Sequence, residues 1–273
     1  MSILHLVATP IGNLDDISAR ALRTLTGVQL IAAEDTRHTQ KLLTRYGIRT
    51  TLTSYHDHNK ALKLDHILAA LETGDIALVS DAGTPSINDP GYELVRAALA
   101  AGHTVSPVPG PSAPIAALAA SGLPTDSFLY LGYLPRKAKA RRDLLAANAH
   151  QPHTLIFLEA PHRLPAALAD LEAVLGNRQI AVARELTKLH EEIVRGTLRE
   201  VRTHFEAAPP RGEITLVVAG KSPDEDEPWT EAKISAEIQV GIKNGESASA
   251  LAKRLAIESG WKKREIYALI NLT

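Results

Sequence analysis

Between residue 3 and about residue 122, short aliphatic runs alternate with helix-like stretches, and this constrains the fold more than any other feature of the chain. ILHLVA precedes ISARALRTL, VQLIAA precedes TRHTQKLLTRY, and TLTSY precedes ALKLDHILAALET. IALVS then precedes YELVRAALAA, and the series ends on TVSPV. Gly47, Gly74 and Gly102 follow three of the helical stretches, where left-handed helix stops are expected. Strand–helix alternation with short connections predicts a mostly parallel sheet covered by helices on both faces.

A second block spans roughly 126–220, with strands read in FLYLGY, HTLIFLE, QIAVARE, EEIVRGT and GEITLVVAG. Helices are expected over about 137–149 and 161–176. The two other connections read as helix-free, which predicts a partly antiparallel sheet. KSPDEDEPW (221–229) reads as a polar linker. Beyond it, Ala248, Leu251, Ala252 and Leu255 share one helical face, and Ile266, Leu269 and Ile270 share another after a turn at Ser259–Gly260. That tail reads equally as a helix-turn-helix-like unit or as a plain helical hairpin cap. The fold class is therefore α/β, with two α/β domains (1–122 and 123–220), a linker (221–229) and an all-helical tail (230–273).

Composition narrows the chemistry. The 273 residues include no cysteine, which excludes disulfides, thiolate metal sites and a cysteine nucleophile. Aromatics make up only 4% and the net charge is −1, so any surface for nucleic acid has to be local. The N-terminus MSILHLVATPIGN lacks a basic leader, and no apolar run approaches a membrane span; a soluble, cytoplasmic protein is expected. GxGxxG after the first strand, GxxxxGK[ST], HExxH and GxSxG are all absent. The 11 histidines are dispersed apart from His56 and His58, which read as a surface loop, and no metal is expected.

Two glycine- and proline-rich loops stand out instead: DAGTPSINDPG (81–91) and PVPGPSAPIAALAASG (107–122). Each follows an apolar run and leads into a helix, the position where open α/β sheets bind ligands. Backbone this rich in Gly and Pro allows a ligand close approach to the main chain.

The order of ATPIGN, DAGTP, VPGPSA, IFLEAPHR, ARELTKLHEEIVRGTL and GEITLVV resembles the tetrapyrrole-methylase superfamily, the class III S-adenosylmethionine-dependent methyltransferases. EDTRHTQKLL (34–43), DAGTPSINDPG (81–91), LPRK (134–137) and LEAPHR (158–163) together resemble more narrowly its bacterial ribosomal branch, the 16S rRNA (cytidine-2′-O)-methyltransferases of the decoding centre. The resemblance covers essentially the whole chain. It implies a cofactor cleft between the two α/β domains and a homodimer. It also implies S-adenosylmethionine contacts at Pro10, at Ala82, Gly83, Thr84 and Ile87, at Ser112 and Ala113, at Leu158, and at Leu186 and Thr187.

Methyl transfer from a sulfonium needs positioning, plus a base or alkoxide-stabilising group for a ribose hydroxyl. Candidate catalytic groups are Glu34, Asp35, Arg37, Asp81, Glu159, His162 and Arg163, with Lys188 and Glu213 next. Asp35–Arg37 and Glu159–Arg163 read equally as structural ion pairs, and the sequence does not pick the base. In PRKAKARR (135–142), Arg136, Lys137, Lys139, Arg141 and Arg142 form a local basic patch suited to RNA phosphates. Lys262, Lys263 and Arg264 extend it in the tail, along with Lys253 and Arg254. The expected partner is 16S rRNA or the small ribosomal subunit. Two other readings stay open: a tetrapyrrole carbon methyltransferase of the same fold, and a non-catalytic RNA-binding assembly factor.

Overall fold

In this computed structural model, residues 2–57, 59–208, 210–222 and 229–272 are described; His58 and most of the linker lie outside them. Two compact units emerge, residues 1–220 and 221–273.

The larger unit opens with β1 (Ile3–Val7), α1 (Ala19–Gly27), β2 (Leu30–Ala33), α2 (Thr36–Arg45), β3 (Thr51–Ser54), α3 (Lys60–Leu71), β4 (Ile76–Val79), α4 (Tyr92–Ala100) and β5 (Thr104–Val108). The strands form one sheet in the order β3-β2-β4-β1-β5, with every pair parallel. Successive side chains on a strand point to opposite faces, so each strand feeds two cores. Ile31, Ala33, Ala77 and Val79 meet Ala21 and Leu25 of α1 and Leu42 and Leu43 of α2 on one face. Leu30, Ala32, Ile76 and Leu78 meet Ile67 and Leu71 of α3 and Leu94 and Ala98 of α4 on the other. Pro107, which cannot donate to a ladder, falls on the edge strand β5, as such a residue must.

Gly47 and Gly102 adopt positive φ (67° and 83°), as the left-handed stops require. Gly74 does not, which corrects that expectation. A Cβ there would stand 2.7 Å from Oε1 of the exposed Gln29 side chain, so Gly74 marks a close approach to that side chain and not a left-handed stop.

α5 (Ala113–Ser121) leaves β5 and crosses to the second sheet. Its sequence, APIAALAAS, carries no charge, which suits a helix enclosed on several sides. There follow β6 (Phe128–Tyr133), α6 (Ala138–Ala147), β7 (Thr154–Glu159), α7 (Leu164–Leu175), β8 (Gln179–Arg184), β9 (Glu192–Thr197), α8 (Leu198–Ala207) and β10 (Ile214–Val218). The sheet order is β6-β7-β10-β8-β9; β6 and β7 are parallel and the other three pairs antiparallel. A mixed sheet is thus found as expected, but the β9–β10 connection does carry a helix. Thr197 and Glu200 close a capping box at the start of α8, and Leu198, Val201 and Phe205 bury its inner face. On this side, α6, α7 and α8 share one core with the sheet. The opposite face is covered by Ala117 and Leu118 of α5, packed on Ile156, Ala181, Ala183 and Val217. Arg195 of β9 donates to the carbonyls of Ala120 and Ser121, placing a cation at the C-terminus of α5.

Among its described residues the smaller unit holds three helices, one more than the sequence pattern predicts: α9 (Glu231–Lys243), α10 (Ala248–Ser259) and α11 (Lys263–Leu272). Thr230 caps α9, and Ile234 and Ile238 join Leu251, Leu255 and Ile266 in a separate core. Gly260 makes the left-handed turn between α10 and α11 (φ 72°). No helix among the described residues is long and apolar enough to cross a membrane.

Candidate active site

In the first sheet, β1 and β4 are neighbours whose onward connections leave in opposite directions, β1 toward β2 and β4 toward β5. A crevice opens beyond the carboxyl ends of two such strands. Here its base is a two-bond bridge: Thr9 N–H donates to Gly83 O (2.9 Å) and Gly83 N–H to Thr9 O (3.0 Å). Gly83 sits at φ 81°, and a Cβ added there would meet nothing closer than Ile11 Cγ2 at 3.6 Å. Conformation, more than lack of space, therefore requires glycine at this position. Farther along the loop, Ser86 (φ 71°) and Asn88 (φ 63°) hold left-handed backbone without being glycine. Strain of that kind persists only where the surroundings over-determine it, and it clusters at functional sites.

Across the crevice, Thr84 Oγ1 donates to Pro111 O (3.4 Å), joining the two glycine-rich loops. Ser112, Ala113 and Pro114 bring the first turn of α5 to the rim. Since α5 covers only part of its face of the second sheet, the strand ends beyond its N-terminus stay open. Thr215 lies opposite Leu158 on one side and Ala183 on the other, so the three share that face as a flat floor. Tyr130, Tyr133, Glu213 and Ile214 complete the wall. Between the tyrosines the β6–β7 register shifts at Gly132 (φ 67°), where any side chain would strike the amide of Asn88. The first loop thus comes close to the second sheet at this point. Gly12 plays the same part on the other flank, where a Cβ would stand 2.7 Å from both Leu186 O and Thr187 Oγ1. The enclosed cleft measures about 220 Å³, with a small recess at Ile11, Ala113, Ala183 and Leu186.

Its electrostatics are acidic. Glu34, Asp81 and Asp89 all line it. Burial, reinforced by Asp89 and Asp81, pushes the Glu34 carboxyl up, partly opposed by the Asp81 N–H it accepts. Burial also raises Asp89, and the Ser80 hydroxyl opposes that shift. Tyr130 is pushed up to about 12 by burial, and Tyr133 moves the same way. Among the described residues, no three His, Cys, Asp or Glu side chains are placed to hold a metal ion.

The family model described as Tetrapyrrole (Corrin/Porphyrin) Methylases matches residues 3–202. The chain belongs to this family. Curated relatives named ribosomal RNA small subunit methyltransferase I match nearly end to end. That of Synechocystis sp. is 48% identical, with 98% of this chain and 97% of the relative covered. That of Escherichia coli O157:H7 is 49% identical, with coverages of 97% and 93%. Among solved structures, diphthine synthase (TM-score 0.60, 14% identity, coverages of 81% and 91%) and the methyltransferase CobJ (0.59, 21%, 84% and 98%) share the fold. The chain is thus a tetrapyrrole-methylase-family methyltransferase with a helical C-terminal unit, as its motif order implies.

Of the residues that the family resemblance points to, Ala82, Gly83, Thr84, Ile87, Ser112, Ala113 and Leu158 come together around this one cleft. Leu186 lines the recess beside it. Pro10 is buried just behind the wall, where its neighbour Ile11 faces the space. Thr187 (φ 65°) accepts the Asn13 N–H at 3.0 Å and so clasps the two halves together. The sequence patterns do not single out Asn88, Asp89 or Thr215. The first two lie inside the DAGTPSINDPG motif, and Thr215 becomes visible only through sheet register.

The candidate catalytic groups divide sharply. Glu34 and Asp81 face the cleft. Asp35 caps α2 through Arg37 N–H (2.8 Å) and pairs with the Arg37 guanidinium (2.7 Å), which holds its carboxyl far below the usual range. Glu159, 2% exposed, accepts from Ala160 N–H (2.7 Å) and from the Arg163 guanidinium. Arg163 also donates to Leu134 O (3.2 Å). This pair is a buried brace at the end of β7, which corrects its candidacy for proton transfer. His162 is exposed in a neighbouring hollow with Arg136 and Tyr133. Lys188 pairs with Glu185 (2.9 Å) and reaches Glu213 (3.8 Å).

The basic patch needs one correction. Arg141 is 5% exposed and pairs with Asp170 (2.6 Å), because the i, i+4 face of α6 that carries it also carries Leu145 into the core. It cannot serve a phosphate. Arg142 lies 3.6 Å from the same Asp170 and is half exposed. Arg136, Lys137 and Lys139 remain exposed, as do Lys262, Lys263 and Arg264 in the smaller unit. Lys253 is exposed too, while Arg254 is bound by Glu246 and Glu258.

Proposed function

We propose that the chain is an S-adenosylmethionine-dependent methyltransferase of small-subunit ribosomal RNA, acting in the cytoplasm on the ribose 2′-hydroxyl of a decoding-centre cytidine. The observation that carries this reading is end-to-end similarity, at 45–49% identity, to proteins named ribosomal RNA small subunit methyltransferase I; the cytidine ribose as the acceptor follows from the narrower motif resemblance. The cleft supports it chemically. Asp81 and Asp89 complement a ligand bearing a sulfonium and an ammonium. Ser112 makes no side-chain cap at the start of α5, so the first-turn N–H groups are left for an anionic group such as a carboxylate. Leu158 and Thr215 offer a flat floor to an aromatic base, while the side chain of Ile214, between Glu213 and Thr215 in the chain, turns into the core on the opposite face.

When bound, the cofactor supplies an already activated methyl group. The work left to the protein is orientation, worth up to ~7–11 kcal/mol, and removal of one proton. Ala82, Gly83 and Thr84 fix one side through backbone pinned by the Thr9–Gly83 bridge, and the second sheet fixes the other. For RNA, α6 opens on Lys137 and Lys139 with no acid in its first turn. This charge distribution disfavours the isolated helix and favours a polyanion. A homodimer, which the family resemblance implies, belongs to the same proposal.

The test is tritium transfer from labelled S-adenosylmethionine to small ribosomal subunits, with the modified position mapped by reverse-transcription stops at low nucleotide concentration. Transfer to a cytidine ribose is expected, and an absence of label on subunit and free RNA alike overturns the reading. Arg136, Lys137 and Lys139 changed together to Gln should flatten the salt dependence of RNA binding by ~0.7 per lost single-strand phosphate contact.

A further inference from the structure

A second cavity adjoins the cleft. It measures about 330 Å³ and is bounded by Glu34, Asp35, Thr36, Arg37, Ser54 and His56, residues at the carboxyl ends of β2 and β3 and the start of α2. Its position follows from topology. In an all-parallel sheet every carboxyl end faces the same edge, and the order β3-β2-β4-β1-β5 places the ends of β2 and β3 beside the β4 loop. Glu34 lines both cavities.

We propose that the acceptor ribose stands in this second cavity and that Glu34 is the catalytic residue that takes the proton from its attacking hydroxyl. The proposal rests on the reading of the chain as a ribose 2′-O-methyltransferase and assigns the base which that reading leaves open. In balance, the hydroxyl oxygen gains the methyl carbon, the carbon–sulfur bond of the sulfonium breaks to leave a neutral thioether, and the hydroxyl proton ends on Glu34.

Competing groups are poorly placed. Asp81, whose Oδ1 accepts from Asp35 N–H at 3.0 Å, lines the cleft but not the second cavity. In return Glu34 Oε2 accepts Asp81 N–H at a long 3.3 Å, which leaves Oε1 for a substrate. This reciprocal clasp between the ends of β2 and β4 fixes the Glu34 backbone at the mouth of both cavities. Tyr133 joins the cleft to the hollow that holds His162 and Arg136, but burial pushes its phenol up, so it keeps its own proton at neutral pH. His162 itself does not reach the cleft lining. Around Glu34 stand Asp81 and Asp89 from the β4 loop, Asp57 and His56 from the segment after β3, and Asp35 and Arg37 beside it on the chain. Burial and the three flanking carboxylates Asp89, Asp81 and Asp57 raise its affinity for a proton, which makes it a stronger base than a free carboxylate.

The experiment compares the full-length protein with Glu34→Gln. The substitution keeps shape but removes the proton acceptor. Methyl transfer to the small subunit should fall about 10²–10⁴-fold, while the affinity for S-adenosylhomocysteine, measured by calorimetry, stays within about threefold. The wild-type rate should rise with pH as Glu34 ionises, because only the carboxylate accepts a proton, and the variant should lose that limb. Independently of turnover, the carboxyl carbon of Glu34 in ¹³C-glutamate-labelled, cofactor-free protein should titrate above the ordinary 4.5. That resonance is identified by its absence from the variant.

Undiminished transfer by Glu34→Gln, or a titration at or below 4.5, overturns the assignment. So does a loss of S-adenosylhomocysteine affinity that matches the loss of rate, since Glu34 is then a cofactor contact. If wild-type protein labels no ribose at all, the reading of the substrate falls and the proposal with it; that outcome differs from one in which wild type is active and the variant is equally so.

Discussion

The two sheets of the larger unit reach the same cleft by different means. In the first, every strand runs the same way, so all of its carboxyl-end loops arrive at one edge. The cleft is lined there by loop residues: Ile11, Asp81–Thr84, Ile87–Asp89 and Ser112–Pro114. In the second, antiparallel pairing divides the strand ends between two edges, and the wall is made by side chains on strands, Tyr130, Leu158 and Thr215. A parallel sheet gathers loops; a mixed sheet presents a face. The difference teaches that a loop motif can reveal the first half of such a site in sequence, whereas the second half depends on register.

The contrast is sharpest in two ion pairs that look alike in sequence. Glu159→Ala, at the end of β7, strips a partner from the largely buried Arg163. It should cost about 3–5 kcal/mol in a urea melt. Asp35→Ala, at the end of β2, removes a cap whose partner Arg37 is 89% exposed, and the loss of melting temperature should be far smaller. Equal losses would mean that the two halves are braced alike.

Leu158→Trp, on the half-buried floor of the second sheet, should lower S-adenosylhomocysteine affinity at least a hundredfold by calorimetry and leave the circular dichroism unchanged. Retained affinity would show that the strand face is not a wall of the site. Gly83→Ala should act on the other half through conformation, because the added methyl finds space but φ 81° disfavours it. A loss of ~1–2 kcal/mol in stability is expected. A loss of binding without any loss of stability would show that the loop contacts ligand more closely than its geometry implies.

Much of the fold was legible in local pattern. Among the described residues, apolar runs and helical periodicity located all ten strands and most helices, because each reports on the chain's own preference for a half-buried surface. α8 was hidden by its composition: LREVRTHFEA carries five charged or histidine side chains around only three core residues. Its capping box, Thr197 and Glu200, was the available signal. α9 did carry a signal, Ile234 and Ile238 at i, i+4 spacing behind the Thr230 cap. For the site, motif order pointed to both glycine-rich loops and to seven residues that the structure gathers around one cleft.

What sequence alone determined is local: where strands, helices and turns fall, and which loops carry the Gly and Pro that let backbone meet a ligand. Only tertiary structure decided that Glu34 and Asp81, 47 residues apart, clasp each other, that Leu158, Thr215 and Ala183 share one floor, and that Arg141 turns inward to Asp170 while Arg136 stays outside. The reason is physical. Periodicity records the environment each segment needs, whereas strand order and register are chosen by the joint burial of surfaces far apart in the chain, and no single segment carries that information.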